Sequence, residues 1–141
     1  MKDLLPIIEE QLQAGGSASF TVHGTSMQPL LFDRRDSVVI AKNPVYKKRD
    51  IILYRRDNGL FILHRIVGVK NGDFVCRGDN QTENEYPVKS GNIIGAVREY
   101  ERNGVRRDMN EATQRVYSFL WVNTVFVRKL YRKIKSILRR K

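Results

Sequence analysis

Between Ser19 and Val97 the chain is a succession of short apolar runs cut by turn-forming residues, and this punctuation narrows the choice of fold most. SFTVHG alternates in polarity, while SVVIAK, DIILYRR, LFILHRIVGV, DFVCRG and NIIGAV are rich in Val, Ile, Phe and Tyr. Asp57-Asn58-Gly59 and Asn71-Gly72-Asp73 have hairpin-turn composition, and Asn43-Pro44, Tyr86-Pro87 and Ser90-Gly91 mark loops. Six or seven strands at this spacing predict a mainly β domain, an antiparallel sheet that is coiled or partly closed as a barrel. The 141 residues suit one domain with additions. Their 41% apolar and 29% charged content excludes wholesale disorder. Cys76 is the single cysteine, so no internal disulfide is available.

The two ends read as helices. Leu5, Ile8 and Leu12 share one helical face and Gly15-Gly16 would end it, predicting a short helix within 1–16. The β domain then covers 17–108, with Arg102-Asn103-Gly104 and the charged stretch to Asp108 as its outgoing link. Over 109–141, after Asn110 as cap, the period becomes helical. Phe126, Val127, Leu130, Tyr131, Ile134, Ile137 and Leu138 form one stripe, and Arg128, Lys129, Arg132, Lys133, Lys135, Arg139 and Arg140 lie opposite.

Charge is concentrated in the same place. The formal net charge is +11, and residues 111–141, with nine Lys/Arg and one acid, supply +8 of it. A long basic amphipathic helix of this kind predicts an anionic membrane surface as partner, with Trp121, Arg128, Lys129, Arg132 and Lys133 at the interface. A helix docked on the β domain with a solvated basic face is the alternative; nucleic acid or a partner protein are further ones. Pro6, Glu9 and Glu10 interrupt the N-terminal apolar run, so no secretory signal is expected there. No 18-residue apolar window predicts a transmembrane helix. Two histidines and one cysteine at unrelated spacings make no metal set, and no glycine-rich phosphate loop is present, so no cofactor is expected.

Three segments carry chemistry: Val22-His23-Gly24-Thr25-Ser26-Met27-Gln28-Pro29, Leu63-His64-Arg65-Ile66-Val67-Gly68 and Arg77-Gly78-Asp79-Asn80. They place a hydroxyl in a turn after a strand, an imidazole within a strand and a carboxylate in a following loop. A serine needs a base to take its proton, a neutral imidazole can serve near pH 7, and a carboxylate can hold the imidazole's tautomer. Gly24 would let the backbone turn so that the amides of Gly24 and Ser26 face a developing oxyanion. The residues alone also allow Ser26 to be a turn residue, His64 an ordinary strand histidine and Asp79 a turn former. His23 is a second candidate base; Lys42, Lys47 and Lys48 are others, if one were desolvated.

Together GTSMQP, KKRDIILYRR, LHRIVGVKNGDFVCRGDN and NIIGAV, spanning residues 20–98 in this order, resemble the type I signal peptidases and related serine proteases. Ser26-Met27-Gln28-Pro29 matches the nucleophile box. Where most bacterial members and the LexA-like relatives carry a lysine base, this chain has His64, and His64-Arg65-Ile66-Val67 resembles the endoplasmic-reticulum-type branch. The resemblance implies a coiled β protease domain with Ser26 as nucleophile, His64 as general base and Asp79 as the orienting acid. It also implies an extended peptide substrate with small residues before the cut. The chain departs from the family at Leu30, where Thr often follows the proline, and at Arg35-Asp36 and Arg49-Asp50, where Gly-Asp is common. The membrane anchor usual ahead of the serine box has no counterpart in this sequence. The expectation is therefore a cytoplasmic enzyme, peripheral on the inner face of the cell membrane, that processes leader peptides or propeptides. A LexA-like self-cleaving regulator and a catalytically inactive membrane- or nucleic-acid-binding β module are the rival expectations.

Overall fold

A computed structural model describes residues 5–139. Residues 1–4 of the expected N-terminal helix, and Arg140 of the basic stripe, lie outside the described residues. Helix α1 (Leu5–Gln13) buries Leu5, Ile8 and Leu12, the three residues of the expected face. Eight strands follow: β1 (Ser17–Thr21), β2 (Ser37–Ala41), β3 (Ile51–Arg55), β4 (Phe61–Lys70), β5 (Asp73–Arg77), β6 (Glu85–Val88), β7 (Ile93–Arg102) and β8 (Val105–Asp108). They form one antiparallel sheet in the order β1-β2-β7-β3-β4-β5-β6, with β8 paired to β7 and the ends not closed on each other.

Apolar cover on both faces explains the unbroken apolar run of β3. Ile51 and Leu53 join Leu12, Phe20, Val38, Ile40 and Val97 in one core; Ile52 and Tyr54 join Ile66, Cys76, Val88 and Ala96 in another. Alternate residues of one strand thus feed opposite cores, as a pleated backbone requires. Register shifts at Val39/Ile40, Leu53/Tyr54 and Ile66/Gly68 interrupt the ladders, and bulges of this kind add bend and twist to a sheet.

Two segments read as linkers are strands. Asn103 and Gly104 both take positive φ (52° and 81°), the conformation of a type I′ hairpin, and fold the charged stretch back on β7 as β8, with Glu101 opposite Arg106. Tyr86-Pro87 lies inside β6, an edge strand, where a proline's missing N–H costs no ladder bond on the open side.

The expected long C-terminal helix is two: α2 (Ala112–Asn123) and α3 (Val125–Arg139). At the break Asn123 Nδ2 donates to Phe119 O (2.8 Å) and Thr124 Oγ1 to Leu120 O (2.6 Å), side-chain bonds that compete with the helical ladder. Glu111, not Asn110, occupies the cap position of α2. Helix α2 docks on the domain through Gln114, Ser118 and Val122; α3 buries no residue. No described helix is long and apolar enough to cross a membrane.

Candidate active site

The serine turn is built from beneath. Met27, Leu30 and Leu31 sink into the larger core, which leaves Ser26 half-buried at the top of the turn. Gly24 enters the turn at φ 89°, a left-handed conformation that glycine adopts without strain. From the side, the loop after β5 closes on it: Asn80 N donates to Ser26 O (2.8 Å) and Asn80 Nδ2 to Thr25 O (3.2 Å). Gly78 sits so close that a Cβ there would stand 2.5 Å from Ser26 O and 3.1 Å from Ser26 Cβ.

Arg65 of β4 pairs with Arg77 of β5, so Gly78 and His64 each stand one residue beyond that last pair. The space a Gly78 side chain would fill is bounded by Ser26 O, Ser26 Cβ and Gln81 Oε1. Ser26 Oγ makes no hydrogen bond to His64 among the described residues. His64 is 4% exposed. Burial drives its pKa down from the ordinary 6.5 to about 4, against a smaller upward pull from Glu85. The imidazole is therefore neutral, and able to accept a proton, throughout the physiological range.

The expected orienting acid is placed elsewhere. Asp79 receives Arg65 Nε (2.8 Å) and Nη2 (2.9 Å) on its two oxygens, and Tyr117 donates to it as well (3.0 Å). Arg65 and His64 are consecutive in β4 and point to opposite faces, so the Asp79 carboxylate serves the arginine and forms no hydrogen bond with the histidine. The Arg65–Asp79 pair, each side chain 1% exposed, fixes the loop that carries Gly78 and Asn80. Arg65 Nη1 extends the network to Arg49 O (3.0 Å) and Ser118 Oγ (2.7 Å), tying β4 to α2.

The polar group at the imidazole is Tyr54 of β3, which sequence reasoning missed. Its hydroxyl lies 3.4 Å from His64 Nδ1 and the two rings meet edge to face. Burial, and then the Glu85 carboxylate, push the Tyr54 phenol well above its ordinary value, so it remains protonated. Burial alone would raise Glu85, but the Arg56 hydrogen bonds and charge outweigh it and hold the carboxyl below its usual range. Tyr54 was legible in principle: the hairpin at Asp57-Asn58-Gly59 sets Ile52 opposite His64 and Tyr54 two residues along on the same face. Glu85 was not, because the Tyr86-Pro87 segment gave no strand signal.

Of the two expected oxyanion donors, Gly24 N–H is taken by Asp33 Oδ1 (2.8 Å), whereas Ser26 N–H has no acceptor among the described residues. His23 lies exposed beyond β1, and Lys42, Lys47 and Lys48 are exposed, without the burial a lysine base requires. The Cys76 thiol is driven up to about 12 by burial and by Glu85, so it stays protonated and is a poor nucleophile. A groove of about 980 Å³ runs past Lys47, Asp50, Arg98, Asp108 and Arg115 and includes neither Ser26 nor His64.

Three of the five residues expected at a membrane face the protein. Trp121 stacks on Tyr117 (5.2 Å between centroids) and donates to Asp79 O (2.6 Å). Arg128 lies over the Trp121 ring at 4.5 Å, and Arg132 donates to Asn80 O. Lys129 and Lys133 are exposed, as are Phe126, Leu130, Tyr131, Ile134, Ile137 and Leu138. No protein-family model matches the chain, and no curated protein matches it either.

Proposed function

We propose that the chain is a serine endopeptidase of the type I signal peptidase kind, cutting leader peptides or propeptides with Ser26 as nucleophile and His64 as general base. The observation that supports this reading is the loop after β5: its Gly78 and Asn80 close on the Ser26 turn, and its Asp79 is held by Arg65, the residue next to a buried, neutral His64. As Ser26 Oγ bonds to the scissile carbonyl carbon, its proton passes to His64 Nε2, and the carbonyl oxygen gathers charge toward Ser26 N–H. The imidazolium then returns the proton to the departing amine. Strand β1 has a single sheet neighbour and leads directly into the serine turn, so a peptide added along its free side would deliver one carbonyl to Ser26.

The exposed stripe of α3 supports peripheral attachment to an anionic bilayer on the inner face of the membrane. Phe126, Leu130, Tyr131, Ile134 and Ile137 would enter the acyl boundary while Lys129, Lys133 and Lys135 meet headgroups. Trp121, Arg128 and Arg132 would hold the helix to the domain.

A serine-reactive acylating probe tests the enzyme. Labelling should map to Ser26, disappear in Ser26→Ala and His64→Ala, and be accompanied by cleavage of peptides with small residues before the cut. The double variant should be no worse than either single one. Cleavage confined to the chain itself and independent of dilution would instead identify a self-cleaving regulator. Absence of labelling in the intact protein would leave a binding module.

A further inference from the structure

His64 Nε2 can accept the Ser26 proton only while the ring's own proton sits on Nδ1, and an imidazole in a buried strand does not choose that tautomer unaided. Some group must accept from Nδ1. Asp79 does not, since Arg65 and Tyr117 occupy it on the other face. The groups around the ring come from four directions: Tyr54 from β3, Cys76 from β5, Glu85 from β6, and Arg56 just beyond β3. Cys76 is a protonated thiol and Arg56 has no acceptor. The Tyr54 oxygen, 3.4 Å from Nδ1, is the acceptor in reach.

The geometry points to Tyr54 as a positioning residue that, backed by Glu85, holds His64 in the Nδ1–H tautomer and takes the place of the triad acid. Arg56 Nη2 donates to Glu85 Oε1 at 2.6 Å and its Nε at 2.9 Å, so the carboxylate is ionised and accepts. Tyr54 and Glu85 line one cavity, and this assignment turns the Tyr54 O–H toward the carboxylate, which leaves the phenolic oxygen to accept Nδ1–H and Nε2 with its lone pair. The Glu85 end opens into a surface cavity of about 330 Å³ lined by Tyr54, Arg56, Asp57 and Glu85, where solvent helps keep the carboxylate charged. No proton travels along the relay. When Nε2 takes the serine proton, the imidazolium charge is spread through two hydrogen bonds onto Glu85, and Tyr54 and Glu85 keep their protonation states.

The catalytic side of this inference rests on the peptidase reading, but the tautomer is measurable without turnover. The chain has two histidines, so ¹⁵N-histidine labelling of the full protein gives two rings, and His23→Gln assigns them. At pH 7 long-range ¹H–¹⁵N spectra should show His64 with the proton on Nδ1. Tyr54→Phe should move it toward the Nε2–H form and lower kcat about ten- to a hundredfold with KM nearly unchanged, as expected for a disturbed general base. Asp79→Asn should leave the tautomer in place. Glu85→Gln, at the solvent-facing end, should weaken the Nδ1–H preference, and it carries the same readout if Tyr54→Phe does not fold. A wild-type ring protonated on Nε2, or an Nδ1–H ring unmoved by both Tyr54→Phe and Glu85→Gln, overturns the relay. A tautomer shift in a protein that no serine probe labels would uphold the relay and refute the peptidase.

Discussion

Between about pH 6.5 and 4, acidification should act on this protein chiefly through one ring. His64 titrates at about 4 in the folded chain and near 6.5 when unfolded. Between those values the unfolded chain binds a proton that the folded chain refuses, so falling pH favours unfolding. The contribution is whole above about pH 6.5, shrinks as pH falls and is gone below about 4. A gap of this size corresponds to roughly 3 kcal/mol at about 1.4 kcal/mol per unit. Urea unfolding at closely spaced pH values from 3.5 to 8 measures it, with His64→Gln alongside to remove the ring and leave the carboxylates. The difference between the two proteins should change by roughly 3 kcal/mol over that window. In turnover, the acid limb of kcat/KM should fall near pH 4. An acid limb near 6.5, with no pH-dependent difference from His64→Gln, would mean the ring is solvated, and the packing argument for a buried base would fail.

Asp79→Asn leaves the Arg65 guanidinium buried without its counter-charge, so stability should drop by about 3–5 kcal/mol in urea titrations. Unchanged stability would mean the pair is hydrated. Gly78→Ala drives a methyl against Ser26 O, and the turn must shift; a cost of about 1–3 kcal/mol and loss of Ser26 labelling are expected. For α3, Lys129→Glu combined with Lys133→Glu should weaken sedimentation with phosphatidylserine vesicles at least about tenfold, and Leu130→Asp should weaken it even at high salt. Equal binding by all variants would exclude the helix as the attachment surface.

The parts of the fold legible in sequence are those where local chemistry and tertiary packing agree. The stripe Leu5, Ile8, Leu12 and the turn at Asn71-Gly72 are of this kind, since the same residues satisfy both demands. Strand β8 escaped because its residues, VRRD, are all exposed: nothing apolar marks a strand held by one hairpin turn and cross-strand charge pairs. The helix break at Thr124 escaped because both halves keep helical period, and the side-chain bonds that interrupt them are invisible to periodicity. At the site, Ser26 and His64 stood out as residue types with reactive chemistry. Tyr54 and Asp79 could be sorted only by register, which decides the face on which each side chain emerges.

That dependence on faces explains why His64 and Arg65 are neighbours. One strand position sends an imidazole toward Tyr54, and the next sends a guanidinium through the other face to Asp79, Ser118 and the ring of Tyr117. The arginine holds the loop whose Gly78 and Asn80 clamp Ser26, so the His64 ring and that clamp are both set by a single stretch of β4. Helix α2 closes the arrangement with Tyr117 and Trp121 on Asp79, and Arg132 of α3 reaches Asn80. A displacement of the C-terminal helices is therefore felt at Ser26 through two residues, Asp79 and Asn80. Moving β4 by one residue would exchange the two faces, burying the guanidinium beside Tyr54 and leaving Asp79 without a partner.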